Sequence, residues 1–355
     1  MVGRTRGRIV RNRAAQGGDA RVGPVLAIPS LLTERGLDPV HVFATVGLDP
    51  SLLDDPESRI SFQDFGRLLE ACADATGCPH FGLMAVQRYD HNSLGAVGYL
   101  MRNSPTVGEA LRAVELHLHL NDRGAVLFLL HLDSDRVALC YTIFWHDAQV
   151  TSLIYDAALA VAHRTLCELC GPAWKPLAVQ LARSRPEVTL PYQRFFGVRP
   201  DFDAERSAIV FASSWLDQPI AGADPVLHRI MEKAVHQMEV SEPDSLAAQV
   251  RRALYPMVLS GTATLASTAR LFSLHERTLR RRLEVDGTTF HQLLNEARFE
   301  VAQQFLRETR LPAAEIAAIL GYSNPGTFSR AFRGWSGSAP RQWRERRVGV
   351  DPHGR

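Results

Sequence analysis

The chain repeats itself near its C-terminus. Thr264–Leu283 reads TLASTARLFSLHERTLRRRL and Ala313–Phe332 reads AAEIAAILGYSNPGTFSRAF. Ala269, Phe272 and Leu274 lie 48 residues before Ala317, Leu320 and Tyr322, while Thr278, Leu279, Arg281 and Leu283 lie 49 before Thr327, Phe328, Arg330 and Phe332. One extra residue in the second turn accounts for the change. Each copy spells helix, turn, helix. A small Ala stands where two helices must approach closely, and an apolar i, i+4 pair (Leu279 and Leu283; Phe328 and Phe332) plugs the second helix into a core. Two such units confine the last hundred residues to an all-α domain, and the chemistry falls to the faces left outside.

Charge is partitioned to match. The net charge of +2 conceals +8 over residues 245–347, +5 over 1–23 and −11 over 24–244. Only the C-terminal block joins positive charge to helical periodicity, which makes it the candidate phosphate-binding surface. Lys175 and Lys233 are the only lysines, so its cations are guanidiniums, able to pair bidentately with phosphate or guanine.

Elsewhere the pattern is mixed. Residues 24–121 read as mostly helical, with Ser61 capping FQDFGRLLEACADAT before Gly77 and Thr106 starting VGEALRAVELHLHL. AVLFLLHL, an Asp-Ser-Asp turn and RVALCYTIF form a hairpin. An apolar helix over 150–170, a strand-like LAVQLA, a β-rich stretch over 198–211 and a helix over 225–240 follow. The fold class expected is an α+β N-terminal domain over 24–240 and an all-α C-terminal domain over 246–347, with two helix-turn-helix units joined by a linker helix. Residues 1–23 read as a disordered basic tail, 241–245 as a linker and 348–355 as a flexible end.

In the first unit, a helix capped by His275 puts Arg277, Arg280 and Arg281 on the face opposite Leu279 and Leu283. A helix in the major groove offers such side chains to base edges, Arg to guanine being the commonest specific contact. In the second unit Asn324 is a good N-cap and Pro325 suits the first helical position, yet Gly326 and Ser329 stand where the first unit has Arg277 and Arg280. Arg330 alone keeps a base-reading guanidinium there. Thr278, Thr327, Ser329 and Arg333 are assigned to phosphate positioning. FHQLLNEARFEVAQQFL forms a connector of about 26 Å at 1.5 Å per residue, able to set two recognition helices near one turn of double-stranded DNA apart, about 34 Å.

These residues resemble the DNA-binding domain of the AraC/XylS family of bacterial transcription regulators. The similarity is densest in EIAAILGYSNPGTFSRAFRGWSGSAPRQWR, at Ile316, Ala317, Gly321, Tyr322, Phe328, Arg330, Phe332, Gly337, Pro340 and Arg344. Arg298, Ala302 and Leu306 match the linker helix. His275 and Ser273 depart from the usual Ser cap and turn Gly. LGAVGYLMRNSPTVGEALRAV and FFGVRPDFDAERSAIVFASSWLDQPI resemble the arabinose-binding-like effector domain of the branch holding ornithine-responsive and virulence regulators. The resemblance implies an N-terminal domain that binds a small effector, forms a dimer or does both, and an activator that meets RNA polymerase at promoters.

The effector is not readable. Arg102, His119, Tyr141 and Trp145 are the candidates for binding it, with His117, His131 and His146 behind them. No phosphate loop, paired carboxylates or nucleophile elbow supports catalysis, and no cofactor is implied. His163, Cys167 and Cys170 would share one helical face, but zinc usually wants a fourth ligand and the helix is apolar, so packing rather than metal is expected. Without a stretch of about 20 apolar residues or a secretory signal, a cytoplasmic protein is expected. The alternatives are a DNA repair enzyme of the methyl-acceptor type fused to helix-turn-helix units, which would need a zinc-activated cysteine, and a ligand-independent architectural protein.

Overall fold

The computed structural model of the chain describes residues 18–143, 152–241, 245–259, 261–272, 274–308 and 311–348. Most of the expected tail, linker residues 242–244 and residues from 349 onward lie outside the described residues. The near end of the tail is a correction, because Asp19–Arg21 forms strand β1. It pairs antiparallel with β2 (Arg59–Ser61) and with β3 (Asp122–Arg123). Both edges of its backbone are hydrogen-bonded and Ala20 and Arg21 are buried, which outweighs the polar local composition.

The hairpin appears as β4 (Ala125–His131) and β5 (Arg136–Ile143), with Leu127 opposite Tyr141 and Leu129 opposite Leu139. Its turn is set by Asp133, whose Oδ1 accepts from the amides of Asp135 at 3.0 Å and Arg136 at 2.8 Å. β6 (Ala178–Gln180) and β7 (Ala208–Ala212) complete a seven-stranded sheet in the order β2-β1-β3-β4-β5-β7-β6. The β-rich stretch expected over 198–211 condenses to β7.

Short helices α1 (Ile28–Thr33) and α2 (Pro39–Thr45) lead to α3 (Phe62–Thr76). Ser61 caps α3 through the Asp64 amide at 3.0 Å, and Gly77 ends it at φ 63°. Then come α4 (Phe81–Ala85), α5 (Gly95–Arg102) and α6 (Val107–His117), the last capped by Thr106. The long apolar α7 (Ser152–Cys170) packs beside α3 and α4, followed by α8 (Leu190–Phe196) and α9 (Pro225–Ser241).

The C-terminal domain is all helix among the described residues. α10 (Leu246–Leu259) leads into α11 (Leu265–Leu271) and α12 (Glu276–Val285), α13 (Phe290–Glu308) connects, and α14 (Ala313–Ile319), α15 (Pro325–Ser336) and α16 (Pro340–Val348) complete it.

The central sheet has two partners. Leu127, Leu139 and Tyr141 point into the N-terminal core with α3, α6 and α7. Their alternates Val126, Phe128, Ala138 and Cys140, with Ala208 and Val210 of β7, share a second core with Val250, Leu254 and Val258 of α10 and Val301 of α13. Successive strand residues face opposite sides, so one sheet layer separates the two cores.

Candidate DNA-binding face and ligand cavity

In the first unit Thr264 caps α11 by accepting from the Ser267 amide at 3.1 Å, and Ala269 is buried against the next helix. Leu279 and Leu283 are fully buried. That anchors α12 with Arg277, Arg280 and Arg281 exposed on its other side. Arg280 lies 3.9 Å from Glu276, an exposed pair that contributes a few tenths of a kcal/mol at most, so the three guanidiniums remain available. His275 occupies the N-cap position but its side chain makes no capping bond; the ring does not supply the short oxygen acceptor that position rewards.

The second unit is better capped and chemically poorer. Asn324 Oδ1 accepts from the Thr327 amide at 2.8 Å and the Thr327 hydroxyl at 3.2 Å, with Pro325 opening α15. Phe328 and Phe332 are fully buried. Arg330 and Arg333 are exposed and Thr327 and Ser329 half-buried on the same helix, as is Thr278 on α12. Arg330 Nη2 approaches the Thr327 hydroxyl at 3.5 Å, which tilts that guanidinium toward the start of α15.

The connector is held from its middle to its C-terminal end. At its C-terminal end Arg344 donates from Nε to Leu306 O at 3.1 Å and from Nη2 to Leu311 O at 2.6 Å. This satisfies a carbonyl that the helix end leaves bare. Arg298 of α13 stacks on the Tyr322 ring, 4.9 Å from its centroid. Toward the sheet, Gln304 Nε2 donates to Thr142 Oγ1 of β5 at 2.7 Å and lies 3.5 Å from the Tyr155 hydroxyl of α7. Sequence reasoning missed Gln304. The signal was available in AVLFLLHL, because an unbroken apolar run in a hairpin means that both faces are covered.

On the sheet's other side a cavity of about 90 Å³ opens between β4, β5 and helices α3, α6 and α7. Phe62, Phe65, Leu111, Val114, Leu139 and Ile154 give it an apolar wall, and Arg21, Asn121, Asp122 and Tyr141 bring polar atoms to it. The Tyr141 hydroxyl donates to Asp122 Oδ2 at 3.1 Å. Burial pushes the Asp122 carboxyl up to about 6 and raises Tyr141 well above its ordinary value. Arg21 donates from Nη1 to Asn121 Oδ1 at 2.8 Å and pairs with Glu57 through Nη2, and its buried Nε has no partner.

Of the residues expected to bind an effector, Tyr141 lines this cavity and Trp145 lies outside the described residues, as does His146. Arg102 and His119 do not line it. Arg102 donates to Ala221 O at 2.9 Å and lies 3.8 Å from Glu168. His119 lies 3.4 Å from Glu239, which also bonds His117 at 2.8 Å. Arg102 ties down the approach to α9 and His119 ties α9 itself, through Ala221 and Glu239, each more than a hundred residues away in sequence. His163 is buried among Trp174, Phe195 and Phe196, with ring centroids 5.4, 5.6 and 5.3 Å away, and burial takes its imidazole down to about 4. Burial raises the thiols of Cys72, Cys140 and Cys170 to about 12, and that of Cys167 upward. No described helix is long and apolar enough to cross a membrane.

Residues 36–220 match the arabinose-binding N-terminal domain of AraC transcription regulators, and residues 268–346 match a helix-turn-helix domain family. The ornithine utilization regulator of Pseudomonas aeruginosa is 29% identical over 321 residues, 90% of this chain and 94% of that protein. The transcriptional regulator VirS of Mycobacterium tuberculosis is 25% identical over 315 residues, 88% of this chain and 93% of its own length.

Proposed function

Because the chain belongs to the AraC family of transcription regulators, we propose that it is a sequence-specific activator of transcription, gated by a small molecule in the N-terminal cavity. Arg277, Arg280 and Arg281 of α12 read bases in one major groove, and Arg330 of α15 reads the next more sparsely. Thr278, Thr327, Ser329 and Arg333 hold phosphates and set the register.

One observation carries the gating. The strands that wall the cavity with Leu127, Leu139 and Tyr141 also dock α10 and α13 with Val126, Phe128, Ala138 and Cys140. A ligand that moves Tyr141 therefore acts on the wall against which the connector helix rests, and Gln304 is the polar tie across it. Its differential affinity for the docked and released arrangements sets how far the equilibrium shifts. RNA polymerase is the partner at the promoter and the cytoplasm the compartment. The exposed apolar row Val226, Ile230 and Met238 on α9 is the surface a homodimer would bury.

The test is competition binding of the full chain to DNA from upstream of its own gene. Arg277→Ala and Arg280→Ala relax the preference over random DNA, and Gln304→Ala weakens the response to ligand while leaving sequence preference intact. Equal losses on both DNAs would remove the base-reading assignment.

A further inference from the structure

We propose that the cavity takes a small, mostly apolar molecule with a single oxygen-bearing head group held at Arg21, rather than a sugar or a diamino acid. The inference rests on the cavity being the effector site and adds the class of molecule it admits.

Size comes first. At about 90 Å³ the space is smaller than the roughly 150 Å³ apolar cavity that holds one benzene ring, so a body of about six carbons is the upper limit. The wall comes second. Phe62, Phe65, Leu111, Val114 and Ile154 offer no hydrogen bonds. A pentose would bury several hydroxyls against them unpaired, each lowering affinity by about tenfold or more. The polar atoms come third. Thr165 is already bonded to the Tyr89 hydroxyl at 2.8 Å, and Tyr141 is committed to Asp122. Arg21, whose side chain is 7% exposed, keeps Nε–H unpartnered. An unused buried donor awaits an acceptor. Charge comes last: Glu57 already balances Arg21, so a ligand with two ammonium groups finds only Asp122 among the acidic residues of the lining.

A carboxylate and a hydroxyl share the required acceptor chemistry, and the experiment separates them. The full-length protein is titrated calorimetrically with hexanoate, 1-hexanol, arabinose and ornithine, alongside Ala158→Phe, which fills the cavity from half-buried Ala158 on α7, and Arg21→Gln. At least one six-carbon probe binds, and Ala158→Phe abolishes that binding. Arg21→Gln weakens hexanoate about tenfold or more if the head is a carboxylate, and weakens 1-hexanol if it is a hydroxyl. Ala158→Val, a smaller filling, weakens the bound probe by a lesser factor and guards against a misfolded Phe variant. Arabinose or ornithine binding that Ala158→Phe removes, or no binding by either six-carbon probe, overturns the inference. The parent reading fails by a different sign. A reporter carrying the DNA upstream of the gene would then give the same output with Ala158→Phe as with the wild-type chain.

Discussion

In the first helix-turn-helix unit the buried pair is Leu279 and Leu283, in the second Phe328 and Phe332, and none of the four is exposed. The first pair is itself aliphatic. Around the second, Phe328 lies 5.7 Å from Tyr322, and Phe332 lies 5.5 Å from Phe299 and 5.9 Å from Trp343. The outer faces invert that order, with Arg277, Arg280, Arg281 and Arg282 exposed on α12 against Arg330 and Arg333 on α15. The pair teaches that buried face and outer face are set independently: one unit has the aromatic core, the other the denser arginine face.

The sharpest way to break the comparison is through the cores. Leu279→Ala is expected to cost about 2–5 kcal/mol and Phe328→Ala about 3–5 kcal/mol in denaturant unfolding of the full chain, with Phe328→Ala the larger. Equal costs would mean that the aromatic ring contacts add nothing beyond the area they bury.

Next comes recognition. Arg277→Ala and Arg280→Ala are each expected to remove about 1–3 kcal/mol of discrimination against the wrong base. Arg333→Ala weakens cognate and random DNA alike and lowers the salt slope by about 1. If Arg333→Ala altered preference and Arg277→Ala did not, the two units would have exchanged roles.

The caps give the smallest effects and the finest discrimination. Asn324→Ala loses about 1 kcal/mol, because its Oδ1 caps α15. His275→Ala changes little, since no capping bond is there to lose, and His275→Ser adds a few tenths to about 1 kcal/mol. Thermal midpoints read all three, and a His275→Ala loss as large as that at Asn324 would show the imidazole to be a working cap.

These two units were legible in the sequence because everything that defines them is local: the 3.6-residue period, the Ala at the crossing, and Asn324 before Pro325. The hairpin and the apolar helix were legible for the same reason. What escaped was non-local. β1 lies in an arginine-rich stretch with no period of its own and exists because β2 and β3 flank it. Arg102 and His119 looked like pocket residues because they are polar side chains among apolar ones, and only the fold brings Ala221 and Glu239 to them. Conversely Arg21, Asn121 and Asp122 reach the cavity by strand pairing across a hundred residues. No spacing rule connects them.

The single sheet layer between the two cores bears on how far the halves can be interchanged. A fragment cut at Ser245 would lift Leu254 and Val258 off Val126, Phe128 and Ala138 and leave an oily scar on the reader. A chimera that joined this reader to a foreign sensor would inherit a surface with nothing to lie against, unless the newcomer brought a matching outer face. Sensor and reader here are tailored as a pair, so swapping modules means re-cutting the seam.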